Sequence, residues 1–265
     1  MWWEIHIIHR IMKHRYIITA LLLMMAGVQT ITAQKMIVTK SDDTKVEFEV
    51  SDIKEVAFEE AADPHEWVDL GLPSGTLWAT CNIGAESPEG VGDYFAWGET
   101  EPKSGYNWSA YLLCNGSGET LTKYCAQSEY GFEGYTDDLT ELLPEDDAAT
   151  VQWGSNWQMP SLEQIQELST CSSISTNLNG VSGRKIFSRL DPQNVWIFLP
   201  NTGWRQGRNY NDRSYGYYWG RTLYSGNSQY ATGIYTNNSY VSSDNGSNNP
   251  NKRCYGRPIR PVRKK

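Results

Sequence analysis

Trp67-Val68-Asp69-Leu70-Gly71-Leu72-Pro73-Ser74-Gly75-Thr76-Leu77-Trp78-Ala79-Thr80 places two short apolar runs on either side of a Gly/Pro/Ser break. Runs of four residues bounded by such breakers read as strands, and Tyr94-Phe95-Ala96-Trp97 repeats the pattern. Two helices follow. Pro144-Glu145-Asp146-Asp147 opens the first, with proline at the start, acids in the first turn and Gly154 as its stop. Ser161-Leu162-Glu163-Gln164 opens the second with a capping box, and Leu162, Ile165 and Leu168 make one apolar face. Beyond Val181 the pattern is strand and loop, ending in the strand-like Ile259-Arg260-Pro261-Val262. Few helices, many short strands and abundant tryptophan predict an α+β domain with two short helices, small antiparallel sheets and long ordered loops over 66–265.

Upstream, Met36–Thr39 and Val46–Val50 read as a small β hairpin module within 35–60, with a third strand at Val56-Ala57-Phe58. A module this short cannot bury a core of its own. Residues 61–65 read as a linker. The apolar run Tyr16–Val28, preceded by Lys13, His14 and Arg15 and followed by small residues up to Ala33, reads as a signal peptide over 1–33, with Met12 as the expected true start. The expectation is an exported chain, secreted or displayed at the cell surface, without a membrane span once processed.

Processing of that kind removes three cations and one anion, so the net charge of −8 becomes −10. An acidic chain lacks the basic footprint that nucleic acid demands. The cations gathered between Lys252 and Lys265 are expected to be a solvated basic terminus. Only His65 remains of the four histidines, which excludes a multi-histidine metal site and leaves one residue for any Ser-His or Cys-His pair. The five cysteines are an odd number, and Cys114 with Cys125, close in sequence, are the candidate bridge. Asp137, Asp138, Glu145, Asp146 and Asp147 are candidate Ca²⁺ ligands, although the last three also suit a helix N-terminus.

Between Asn201 and Pro250 stand nine Asn, eight Tyr, seven Ser and seven Gly, with no Lys or Glu. Rigid aromatics among small hydrogen-bonding residues are the recipe of a recognition surface. Arg205, Arg208, Tyr210, Asn211, Arg221, Tyr224, Asn227, Tyr235, Asn237, Tyr240 and Asp244 are therefore the candidate ligand-binding residues. Asn237-Asn238 is a good hairpin turn that would bring Tyr235 and Tyr240 together. Trp78, Trp97, Trp153, Trp157 and Trp219 read as core rather than sugar platforms. Arg257 and Arg260 read as partners of acids beside the terminal strands.

Several motifs in order carry a resemblance. Trp67–Gly75, Leu77–Gly84, Gly92–Glu99, Trp157–Ser161, Gly203-Trp204-Arg205, Gly216–Trp219 and Tyr255–Val262 resemble the Fibrobacter succinogenes major paralogous domain over roughly 66–263. The resemblance implies a C-type-lectin-like fold, related to formylglycine-generating enzymes and to retroelement-diversified variable proteins. It implies that the two chain ends pair as neighbouring strands and that a long looped region presents the binding face. The leader hairpin is similar to those of exported proteins of gut-dwelling Bacteroidetes. The tripeptides Glu-Pro-Asn, Gln-Pro-Asp and Trp-Asn-Asp of calcium-dependent sugar-binding lectins are missing, so no cofactor is expected, with Ca²⁺ the one candidate. A formylglycine-generating enzyme needs a reactive cysteine pair near this end, where only Cys254 stands. The expected function is an exported, non-enzymatic protein binding a protein or glycan. An enzyme of the formylglycine-generating type and a structural surface component are the alternatives. The Asn- and Tyr-rich codons also fit adenine-directed retroelement mutagenesis.

Overall fold

The computed structural model describes residues 35–40, 42–55, 63–244 and 251–263. The expected signal peptide, the strand at Val56–Phe58 and residues 61 and 62 of the linker lie outside them. The chain divides into two units, Met1–Asp63 and Pro64–Lys265.

In the first unit, β1 (Lys35–Thr39) pairs antiparallel with β2 (Lys45–Glu49). The turn is closed by Asp42, whose carboxylate accepts the Thr44 amide and hydroxyl. Met36 faces Phe48 and Val38 faces Val46 across the pair, which gathers the apolar side chains on one side.

The second unit is α+β. Its first sheet has the order β13-β4-β3, from β3 (Trp67–Asp69), β4 (Leu77–Ala79) and β13 (Val262–Arg263). The first and last strands of the unit thus share a sheet, but β4 lies between them. The expected direct pairing of the two ends is replaced by Val262 opposite Trp78. β5 (Ser173–Leu178), β6 (Val181–Phe187) and β7 (Trp196–Pro200) form an antiparallel meander. β8 (Trp204–Gln206) and β9 (Asn209–Asn211) form a short hairpin. β10 (Gly216–Leu223), β11 (Ala231–Thr236) and β12 (Val241–Asp244) form the third three-stranded sheet. Tyr94–Trp97 makes no strand, only a bridge from Phe95 to Arg257.

Both helices appear, one shorter than expected. Pro144–Asp146 is a 3-10 turn, and α1 (Ala148–Trp153) begins after Asp147, whose carboxylate caps the Ala149 and Thr150 amides. The same carboxylate takes the Met159 amide, so the cap also pins the following loop. α2 (Leu162–Ser169) carries the full capping box from Ser161 and Gln164 and buries Ile165 and Leu168.

Thr80 to Asp147 contains little regular structure, and its order comes from elsewhere. Every residue from Arg253 to Val262 is buried, and this segment runs as a strut through the domain. Its backbone bonds to Trp97 and Phe95, to Ile83 and Ala79, and to Arg205, Trp219 and Gln158. The arginines on it are inside the protein, which corrects the expectation of a solvated basic terminus. Arg253 donates to the carbonyls of Lys123, Tyr124 and Ser228 and to the Tyr111 hydroxyl, with its guanidinium 4.8 Å from the Trp97 ring. Arg257 meets Asn251 and, at 3.5 Å, Asp244, and lies 4.4 Å from the Trp219 ring. Arg260 meets no acid. It donates to Asn82 Oδ1 (2.8 Å), Ala79 O (3.3 Å) and Phe198 O (2.9 Å). Burial pulls the Arg257 and Arg260 guanidiniums down to about 10, still charged at neutral pH.

Four of the five singled-out tryptophans, Trp78, Trp97, Trp157 and Trp219, are fully buried around this strut. Trp153 is half-buried, stacked on His65 with ring centroids 3.9 Å apart. Replacing Arg260 with Met should cost about 3 kcal/mol, because buried oxygens of Asn82 and Phe198 lose their donor together. Lysine should recover less than half of that loss, since one ammonium does not span three acceptors. Urea unfolding followed by tryptophan fluorescence measures both. A loss below about 1 kcal/mol for the Met variant would show that the strut does not depend on this side chain.

Candidate functional site

The β8–β9 hairpin turns through Gly207 and Arg208, between the cross-strand pair Gln206 and Asn209. Gly207 has φ +59°, a conformation that glycine adopts without strain. The hairpin is held from both flanks. Gly207 exchanges two backbone bonds with Tyr106, and Arg205 exchanges two with Gly256 on the buried strut. A side chain at Gly256 would collide with the Tyr106 ring, whose atoms stand 2.8 Å from where a Cβ would sit.

Arg205 and Tyr210 are directly opposite each other on this ribbon, so their side chains share a face. The Arg205 guanidinium lies 4.9 Å from the Tyr210 ring, 5.0 Å from Tyr106 and 6.0 Å from Tyr94. Arg213 lies 4.9 Å from the same Tyr210 ring. Tyr94 meets Tyr210 edge to face at 5.4 Å and donates its hydroxyl to Thr202 O. Burial pushes the Tyr94 hydroxyl up to about 12, so it remains a neutral donor. Tyr210 is 49% exposed, with Arg208 and Arg213 exposed beside it in the chain.

A second group of tyrosines adjoins the first. Tyr217 donates to Asp212, which follows β9 directly. Tyr217 and Tyr235 are cross-strand partners with rings 5.2 Å apart. Tyr235 also meets Tyr215 at 5.7 Å and Tyr240 at 6.1 Å. The expected approach of Tyr235 and Tyr240 through the Asn237-Asn238 turn is therefore present. Asn237 closes that turn by accepting the Ser239 and Tyr240 amides on its side-chain oxygen. Arg184, itself buried, clamps the turn from β6 by donating to Asn237 O (3.0 Å) and Ser239 O (2.8 Å). Tyr240 is 50% exposed.

The eleven candidate residues do not form one surface. Arg205, Arg208, Tyr210, Asn211, Tyr235, Asn237 and Tyr240 belong to the two joined groups. Arg221, Tyr224 and Asn227 lie at the far end of the β10–β11 pair, on the order of 20 Å away along the strand at ~3.3 Å per residue. There they build loops. Arg221 pairs with Glu141 at 3.1 Å and donates to Gln158 and Leu142. Asn227 bridges the Tyr130 hydroxyl and the Gln229 amide, and the Tyr224 ring packs against Gly226. Asp244 is a correction of a different kind. It is 7% exposed and faces Arg257, so it is not presented outward.

Sequence reading missed Tyr94, Tyr106, Arg213, Tyr215 and Tyr217. Tyr94 sits in a framework motif at the start of the buried run 94–99, and no pattern distinguishes it. Tyr217 was legible in retrospect, since it alternates with the buried Tyr218 and stands opposite Tyr235.

Of the five candidate Ca²⁺ ligands, Asp137, Asp146 and Asp147 have protein partners. Asp137 accepts the Tyr124, Cys125 and Leu139 amides, Asp146 holds Lys123 and the Tyr124 hydroxyl, and Asp147 is the helix cap. Among the described residues no group of three or more His, Cys, Asp or Glu is placed to hold a metal ion. All five cysteines are free, so the candidate bridge between Cys114 and Cys125 is not formed. Cys254 is fully buried, and that burial pushes its thiol up to about 12. A shallow depression of about 250 Å³ has Glu66 as its one titratable wall residue and does not border the tyrosine groups. No described helix is long and apolar enough to cross a membrane.

Arg184→Ala should release the Asn237–Tyr240 turn while leaving the sheet intact. Hydrogen exchange at the Ser239 and Tyr240 amides should accelerate at least tenfold, with β10 amides unchanged. Equal acceleration in both places would mean that Arg184 supports the whole sheet rather than the turn.

No protein-family model, no curated protein and no solved structure matches the chain.

Proposed function

We propose that this chain is an exported, non-enzymatic binding protein whose recognition face is the joined Arg205–Tyr210 and Tyr235–Tyr240 surface. The observation that carries the reading is the contrast between a fixed backbone and half-exposed rings. The β8–β9 hairpin is bonded on both flanks, the Asn237–Tyr240 turn is clamped by Arg184, and Tyr210 and Tyr240 remain about half open to solvent. Aromatic rings held without rotational freedom give contact area at low entropic cost.

The scaffold is proposed to be C-type-lectin-like. Supporting that are the first and last strands of the domain sharing one sheet, the two short helices, and the long loops ordered by a buried terminal strut. Export rests on the apolar run near the start of the sequence. The alternative of a formylglycine-generating type of enzyme requires a reactive thiol, and a fully buried Cys254 with a raised pKa weighs against it.

The test is a glycan and surface-protein array probed with the wild-type chain, a Tyr210→Ala/Tyr240→Ala double variant and a Tyr224→Ala control. Signals should fall at least tenfold in the double variant, on the order of 1–2 kcal/mol per exposed aromatic anchor, and persist in Tyr224→Ala. Both variants should keep the wild-type unfolding midpoint within a few degrees. Ligand signals that survive the double change would place recognition elsewhere on the molecule.

A further inference from the structure

Three arginines stand within nine residues on the β8–β9 hairpin and its exit, in a chain whose net charge is −8. None of Arg205, Arg208 and Arg213 forms an ion pair with a carboxylate among the described residues. Three other cations near long loops do have carboxylate partners. Lys103 is paired with Glu99 at 2.7 Å, Lys123 with Asp146, and Arg221 with Glu141 at 3.1 Å. The nearest acid in sequence, Asp212, is engaged by the Tyr217 hydroxyl. Arg205 and Arg213 share the Tyr210 ring at 4.9 Å from each, and Arg205 also donates to Ser104 O at 3.3 Å, a neutral acceptor. Stacking on a ring fixes a guanidinium plane without neutralising its charge. The Nε of Arg205 and the Nδ2 of Asn211 are moreover buried without hydrogen-bond partners among the described residues. The result is a local positive site on an otherwise negative molecule.

We infer that the recognition face takes an acidic glycan, a polysaccharide bearing carboxylates such as a uronate polymer, with Arg208 and Arg213 contacting the acid groups and Tyr210 the sugar ring. The inference rests on the binding-face reading above and deepens it. Charge complementarity requires an anion, since a planar guanidinium matches a carboxylate with two parallel hydrogen bonds. Composition selects the glycan over an acidic protein. Protein interfaces share this enrichment in Tyr and Arg but build a largely apolar, fully buried centre. The stretch Trp204–Tyr215 contains no aliphatic side chain, and arginine stands at its centre among Asn, Ser and Tyr. Such a surface fits a hydrated, hydroxyl-rich polymer. The acidic remainder of the protein repels a polyanion everywhere else, which confines binding to this place.

The experiment is titration calorimetry with the full chain and four probes at equal monomer concentration: oligogalacturonate, its methyl ester, poly-L-glutamate and oligo-dT. Binding to oligogalacturonate and not to the methyl ester is expected. It should weaken at least tenfold in about 1 M NaCl, where the screening length falls to about 3 Å. Arg208→Gln/Arg213→Gln should lower the affinity at least tenfold, and Arg208→Lys/Arg213→Lys should retain more of it. An Arg189→Gln/Lys54→Gln control, equal in net charge and exposed, should bind like wild type. Tighter binding of poly-L-glutamate or oligo-dT would overturn the glycan assignment, and so would binding unaffected by the arginine changes. Binding of the methyl ester that is lost in Tyr210→Ala/Tyr240→Ala would overturn the acidic ligand while leaving the face. Binding to none of the probes overturns the inference here, and the array signals of the tyrosine variants then decide the face separately.

Discussion

Ten consecutive buried residues, Arg253 to Val262, hold this domain together. A segment that carries three guanidiniums into the interior is costly to desolvate, and it persists because nearly every donor finds a fixed acceptor. Those acceptors are mostly backbone carbonyls rather than carboxylates. Arg253 gathers Lys123, Tyr124 and Ser228, and Arg260 gathers Ala79 and Phe198. Loops that lack a ladder of their own thereby have their backbone polar groups satisfied. The tryptophans complete the arrangement, since Trp97 and Trp219 offer ring faces to Arg253 and Arg257 and donate their indole N–H groups to Gly220 O and Phe95 O.

The same strut positions the proposed recognition surface. Gly256 bonds to Arg205 on one side and leaves room for the Tyr106 ring on the other. Tyr106 in turn holds the tip of the β8–β9 hairpin. Order therefore passes from the core to an exposed arginine–tyrosine surface through backbone bonds rather than through side-chain packing. A surface built this way tolerates changes in its outward side chains, because none of Arg208, Tyr210 or Arg213 supplies a core contact that the strut requires. That property suits a face on which specificity changes while the body stays constant.

Much of the local structure was legible. The Ser161 capping box, Gly154 at the end of α1, the Asn237-Asn238 turn and the strands at Trp67 and Leu77 follow from short-range rules that depend on neighbouring residues. The misreadings share one cause. Arg257 does face an acid, Asp244, but Arg260 looks acid-paired because a guanidinium is rarely buried without a carboxylate, and nothing near it in sequence reveals the carbonyls of Ala79 and Phe198. Asp244 looks exposed because it follows a polar hairpin, yet its partner Arg257 lies across a stretch the local pattern does not reach. Tyr224 and Tyr240 look equivalent by composition, and only the length of the β10–β11 pair separates them.

Sequence alone determined the composition of the proposed recognition face, the caps and turns, and the α+β class, because each depends on residue type or on spacings of a few positions. Tertiary structure alone decided which tyrosines share a surface, which arginines are spent inside the body and which are left to meet a ligand. Those outcomes depend on backbone carbonyls reached from positions as distant as Ala79 and Arg260, and a carbonyl is the one polar group that every residue carries and no sequence pattern marks.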